Sequence, residues 1–168
     1  LATWQVLELL ADAEALKAQG NALFGEGAYG EAIARYGKAL AQLEEAVASA
    51  PEGAQNGAEQ DGEGQRDLRQ TLLSNRAACY LNLNRPWLAM IDCSAVLSED
   101  ATHQKALYRR ALAFRSMGKH EQAIADLRAL TAQDVDEATL VKVSKIMQPL
   151  KKAAAAAAKA AANAASAS

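Results

Sequence analysis

Little in this 168-residue sequence is equipped for covalent chemistry. It has two cysteines and two histidines, and Cys79 and Cys93 stand at no metal-ligand spacing from His103 or His120. The two thiols are therefore expected to be buried, reduced and packed as small hydrophobes. No paired carboxylates in a glycine-rich context, no Ser-His-Asp or Cys-His arrangement and no phosphate-cradling loop occur. Gly25-Glu26-Gly27 reads as a helix terminus, so neither catalysis nor a cofactor or metal is expected. The net charge of -2 offers no global basic surface, which argues against nucleic acid or an anionic membrane as partner. There is no run of about 18 large apolar residues, so no membrane span is expected. The opening Leu1-Ala2-Thr3-Trp4 has neither an initiator methionine nor a basic-then-apolar leader, and the chain reads as an excerpt from a longer protein.

Aromatics are also scarce, at 5%, although 51% of residues are hydrophobic. Alanine makes up the difference, a bias that fits close-packed helices better than sheets. Those small residues recur. Ala77, Tyr80, Ala89, Cys93 and Val96 return as Ala111, Phe114, Ala123, Leu127 and Leu130, each 34 positions later. Upstream, Gly20, Leu23, Ala32, Tyr36 and Ala39 precede the middle set by 57, one period of 34 plus 23 inserted residues. Gly20, Ala77 and Ala111 must be small where a second helix crosses close by. Ala32, Ala89 and Ala123 are the reciprocal small surface, and Leu23, Tyr80 and Phe114 fill the space between. One such helix pair cannot cover its own apolar face, so successive pairs stack and share a core.

This period and pattern resemble the tetratricopeptide repeat. The resemblance implies an all-α fold: three helix pairs stacked as a right-handed superhelix, plus a C-terminal closing helix. Residues 1–11 read as a lead-in, with Asp12 as N-cap of the first repeat helix. The repeats occupy about 13–48, 70–101 and 104–135 of a domain covering 12–150. Residues 49–66 hold four glycines and a proline but no Val, Ile, Leu or aromatic residue, and are expected to be a flexible insertion. Asp67 to Asn84 should form the next helix, and Pro86 should open the one after it. Thr102 is the expected cap of a helix ending near Met117, with Gly118 as its C-terminal stop. The closing helix is placed at 136–152, with a kink or early end at Pro149. In the tail 153–168, twelve of sixteen residues are alanine, which suits either helix or linker.

Candidate binding residues follow from the register. Lys17 and Asn21 are four apart, as are Lys105 and Arg109, so each pair projects from one helix face. Together with Asn75 they supply two lysines, an arginine and two amides, a set able to hold a carboxylate pair at the end of an extended peptide. A terminal aspartate carries such a pair. With repeats starting at Ala13, Gln70 and Gln104, these residues fall at the fifth and ninth positions of the first repeat, the sixth of the second, and the second and sixth of the third. That pattern resembles the carboxylate clamp of co-chaperone tetratricopeptide domains, and is most similar to those of UCS-type myosin chaperones, sperm-associated axonemal assembly factors and large immunophilins. The resemblance implies a guest, the Glu-Glu-Val-Asp tail of heat shock protein 90 or 70 class chaperones, together with a cytoplasmic location and client-bearing domains elsewhere. The alternative is a scaffold for a different peptide or helix. Phe24, Ala78 and Leu112 are possible apolar groove contacts, Phe24 having a core reading as well, and Arg115 could meet an acidic residue further from the terminus. Arg76 and Arg110 are expected to face solvent or brace a neighbouring helix, and Trp87 to pack under its turn. The repeat-closing proline of the family is missing, with Glu44, Ala101 and Val135 in its place.

Overall fold

The computed structural model describes residues 2–49 and 59–166. Among them there are seven helices and no strand: α1 (Ala2–Gly25), α2 (Tyr29–Ala48), α3 (Glu59–Asn82), α4 (Pro86–Glu99), α5 (Gln104–Ser116), α6 (His120–Thr131) and α7 (Glu137–Ser166). They form two compact units, one ending at Arg85 and the other beginning at Pro86. The boundary falls in the turn between the two helices of the second repeat.

In the first unit, α1 packs along α2 and α2 along α3. The tightest point lies between Gly20 and Tyr36. A Cβ added at Gly20 would sit 2.5 Å from Cε1 of the Tyr36 ring, so no other residue fits there without moving the ring. Tyr36, Ala32 and Leu43 on α2 are buried, as are Ala13 and Leu16 on α1 and Leu72 on α3. In the second unit α4 packs on α5, α5 on α6 and α6 on α7. Its core holds Ala89, Cys93 and Val96, Leu107 and Ala111, Leu127 and Leu130, and Val143 and Leu150.

The first helix of every repeat stops in the same way. Gly27, Asn84 and Gly118 have φ of 78°, 54° and 71° and stand at equivalent repeat positions. Around Gly27, the Ala28 N–H donates to Leu23 O (2.9 Å) and the Gly27 N–H to Phe24 O (3.1 Å). Arg85 and Asn84 bond Tyr80 and Leu81 alike, and Lys119 and Gly118 bond Phe114 and Arg115. This paired closure satisfies helix-end carbonyls that would otherwise lack partners, and it requires a left-handed residue.

Several boundaries differ from the expected ones. The lead-in is not separate, because α1 runs unbroken from Ala2; Asp12 lies mid-helix and accepts from Gln42 Nε2 at 3.4 Å instead of capping. The expected insertion is helical from Glu59 onward, two turns ahead of Asp67. Leu68 and Leu72 anchor that helix by burial. Residues 50–58 of the insertion lie outside the described residues. Thr102 does not cap α5. Its N–H and hydroxyl both bond Asp100 Oδ1 (2.9 and 2.6 Å), which leaves His103 as N-cap, its Nδ1 accepting from the Ala106 N–H at 3.1 Å. Helix α7 continues through Pro149 to Ser166. Its buried residues Val143, Leu150 and Ala154 form one stripe spanning the proline, so packing holds the helix across the missing N–H. Beyond them, alanine's helix propensity carries it on.

Two outcomes follow. Gly27→Ala and Gly118→Ala should each lower unfolding free energy by about 1 kcal/mol, the cost of a Cβ in the left-handed region, in urea titrations with unchanged slope. Gly25→Ala is the control, since that glycine has no positive φ and open space around it, and it should be neutral or stabilising. Burial holds the His103 pKa below the ordinary imidazole value, aided by the positive charges of Arg109 and Lys105, against the opposing pull of Asp100. A depressed folded pKa means that the unfolded chain takes up the proton first. Stability from this cap is complete above about pH 6.5 and is lost as pH falls toward the folded value. The melting temperature should therefore drop between pH 7.5 and 5.5, and drop less in His103→Asn, which keeps a capping side chain that does not titrate.

Candidate functional site

Lys17, Asn21 and Phe24 follow one another along a single stripe of α1, at spacings of four and three. Lys17 is half-buried and ion-paired with Glu14, one turn back on the same helix. Asn21 is exposed at the surface, yet its carbonyl is held twice: Oδ1 accepts from the Tyr36 hydroxyl at 2.8 Å and from Asn75 Nδ2 at 3.2 Å. One amide therefore ties together α1, α2 and α3. With Oδ1 engaged on one edge, the two Nδ2 hydrogens of Asn21 lie on the other and are available to an acceptor. Phe24 is half-buried and meets Tyr29 edge-on, ring centroids 5.4 Å apart at 67°, so it closes the α1–α2 turn as well as flanking the stripe. Ala78, one turn past Asn75 on α3, is buried.

In the second unit Lys105, Arg109 and Leu112 repeat the four-then-three stride on α5. Lys105 is exposed, Arg109 and Leu112 are half-buried, and Arg115 is exposed near the helix end. The structure thus brings Asn21 and Asn75 into direct contact, sets Lys17 with Asn21 on one stripe, and sets Lys105 with Arg109 on another.

The neighbouring arginines do different work. Arg110 forms a fork with Asp126 on α6, Nε to Oδ2 at 2.8 Å and Nη2 to Oδ1 at 2.7 Å, while Nη1 reaches Ser94 Oγ on α4 at 3.3 Å. It also lies over the Phe114 ring, 5.7 Å from its centroid. Asp126 is 6% exposed, so this is a largely buried pair bracing three helices. Arg76 lies over the Tyr80 ring at 5.9 Å. Cys79 and Cys93 are buried and form no disulfide. Burial pushes the Cys93 thiol up to about 12 despite the nearby Arg109, so it is not a nucleophile at neutral pH. Among the described residues no group of three or more His, Cys, Asp or Glu could hold a metal ion, and no helix is long and apolar enough to cross a membrane. Trp87 is 56% exposed instead of packed under its turn, with Lys119 Nζ 5.7 Å from its ring centroid.

No family model matches the chain. The C-terminal TPR-containing domain of a Plasmodium falciparum putative FK506-binding protein superposes with a TM-score of 0.77 at 21% identity, over 92% of this chain and 95% of that one. The chain has the tetratricopeptide-repeat fold. The myosin chaperone UNC-45 from C. elegans, solved in complex with an Hsp90 peptide, matches with a TM-score of 0.57 at 28% identity over 84% of this chain and 13% of that one. A mouse FK506-binding protein-like protein is 46% identical over 66 residues, 39% of this chain. The chain spans 19% of the length of that relative and of its human and rat counterparts.

Two contributors had escaped sequence reasoning: the Tyr36 hydroxyl and the Asp126–Ser94 receptor for Arg110. The second was visible in the repeat, because Asp92 and Asp126 are 34 apart, as are Arg76 and Arg110. Both aspartates are buried, and a buried aspartate at a repeated position implies a cationic partner at one too. Arg110→Ala should cost about 3 kcal/mol by leaving Asp126 buried without its fork. In a double-mutant cycle with Asp126→Ala, measured by urea unfolding, the second substitution should cost much less than it does alone.

Proposed function

We propose that this domain binds the free C-terminus of an extended acidic peptide, with Lys17, Asn21, Asn75, Lys105 and Arg109 as its carboxylate clamp. The observation that carries the reading is the matched stride of donors on the first helices of the repeats: Lys17 and Asn21 on α1, Lys105 and Arg109 on α5, with Asn75 bonded to Asn21. Three cations suit two carboxylates, the side-chain and main-chain groups of a terminal aspartate. Charge-assisted bonds from lysine and arginine supply attraction, and the amides fix direction. Phe24, Ala78 and Leu112, each one turn beyond a clamp residue on its own helix, are the candidate apolar contacts for a valine before the aspartate, and Arg115 could meet an acid further back.

The guest is accordingly the Glu-Glu-Val-Asp tail of heat shock protein 90 or 70 class chaperones, and the domain acts as a co-chaperone adaptor in the cytoplasm. The likeness to UNC-45, solved with an Hsp90 peptide, supports that choice of guest. The chain spans 19% of the length of its first relatives, and the reading leaves client binding to domains elsewhere in a longer protein.

Titration with a Met-Glu-Glu-Val-Asp peptide tests the reading. The free acid should bind with micromolar affinity, weakening as salt is raised. Amidation of the terminus, or the paired substitution Lys105→Ala and Arg109→Ala, should reduce affinity at least tenfold. Failure of the free acid to bind a domain folded by circular dichroism would overturn the proposal.

A further inference from the structure

The five clamp positions all lie on first helices of repeats, but the structure ties one of them to a second helix. Tyr36, on α2, is 1% exposed, and its hydroxyl donates to Asn21 Oδ1 at 2.8 Å. Asn75 Nδ2 reaches the same oxygen at 3.2 Å. An asparagine amide has an acceptor edge and a donor edge that differ in charge but little in shape. Beside a carboxylate the difference decides the sign of the interaction, since the NH2 edge attracts and the carbonyl edge repels. Two donors on Oδ1 fix which edge faces the ligand before any ligand arrives.

The sequence of the repeats carries the same correlation. The position of Asn21 is occupied by Ala78 and Leu112 in the other repeats, and that of Tyr36 by Cys93 and Leu127. Neither of the repeats without the amide has a hydroxyl there. The preceding position follows suit: Gly20 stands where the others have Ala77 and Ala111, and a Cβ at Gly20 would meet the Tyr36 ring at 2.5 Å. Gly20, Asn21 and Tyr36 therefore form a matched set, with the glycine making room for the ring and the ring's hydroxyl holding the amide. A tyrosine needed only to fill the core would not have to end in a hydrogen bond to an exposed side-chain amide.

We propose that Tyr36 is a positioning residue of the clamp, orienting Asn21 so that its amide N–H groups face the bound carboxylate. This rests on the carboxylate-clamp reading. Tyr36→Phe keeps the ring against Gly20 and removes only the hydroxyl. It should weaken binding of the free-acid peptide about fivefold, the worth of one hydrogen bond of ordinary strength, while leaving the circular dichroism spectrum unchanged. The deciding comparison is a cycle with Asn21→Ala: if Tyr36 acts through Asn21, adding Tyr36→Phe to Asn21→Ala costs no further affinity. Without peptide, the Asn21 side-chain amide should give one sharp pair of nitrogen-correlated proton resonances in the wild type and a broadened pair in Tyr36→Phe. Wild-type affinity in Tyr36→Phe, the same fold-loss in both backgrounds of the cycle, or an unchanged amide pair would each overturn the inference while leaving the clamp standing. A wild-type domain that binds no free-acid peptide overturns the clamp reading, and the inference with it.

Discussion

The closeness with which two helices of a pair can approach governs the rest of this structure. Gly20 against the Tyr36 ring is the extreme case, and Ala32, Ala77, Ala89, Ala111 and Ala123 are all fully buried. Small residues at these crossings let side chains from one helix lie directly on the backbone of the next, where dispersion contacts are dense. The crossing also fixes each helix about its own axis. Once Gly20 and Ala111 face inward, the stripes Lys17-Asn21-Phe24 and Lys105-Arg109-Leu112 have only one direction left. Site geometry here is a by-product of packing: polar groups are aimed by apolar contacts on the opposite side of the same helix.

Arg109 and Arg110 show how finely that aim divides labour. They are adjacent, chemically identical and a hundred degrees apart around the helix. Arg110 turns into the fork with Asp126 and the hydroxyl of Ser94, taking its charge out of circulation. Coulombic attraction to Asp126 in a desolvated setting exceeds anything a mobile ligand offers at the surface, so Arg110 belongs to the fold. Arg109 is half-buried on the Lys105 stripe. A sequence can say that both are basic, but the buried acid at Asp126 separates them.

Legibility from the sequence followed the same division. The repeat and the all-α class were readable because they are periodic: small residues recurring at a fixed spacing announce the packing that requires them. Apart from the buried receptor for Arg110, what escaped was local and aperiodic. Thr102 looks like a cap by composition, but an Asp two residues before it captures its hydroxyl and leaves the task to His103. The stretch from Glu59 lacks apolar residues, yet it extends a helix already anchored by Leu68 and Leu72, and extension costs far less than nucleation. Pro149 is a helix breaker in isolation, and the buried stripe on either side of it outweighs the lost bond. The Tyr36 hydroxyl was hidden in a position already explained by core packing, so its polar tip drew no separate question.

The two kinds of clamp residue differ in how much the free protein decides for them. Lys17 and Lys105 are long side chains near solvent, and Lys17 is shared with Glu14, an exposed partner whose hold is worth a few tenths of a kcal/mol. On the proposed clamp reading, a ligand carboxylate displaces such a partner easily, and these cations act mainly by drawing an acidic peptide in, a contribution that salt screens. Asn21 and Asn75 are short, bonded to each other and, through Tyr36, to the core. Their orientation is settled before binding, so little side-chain entropy is lost when the ligand arrives. On the clamp reading proposed above, attraction comes from groups that can move, and the direction of the bound terminus is set by groups that cannot. The second property depends on packing around Gly20, so the proposed recognition rests on the same helix approach that builds the fold.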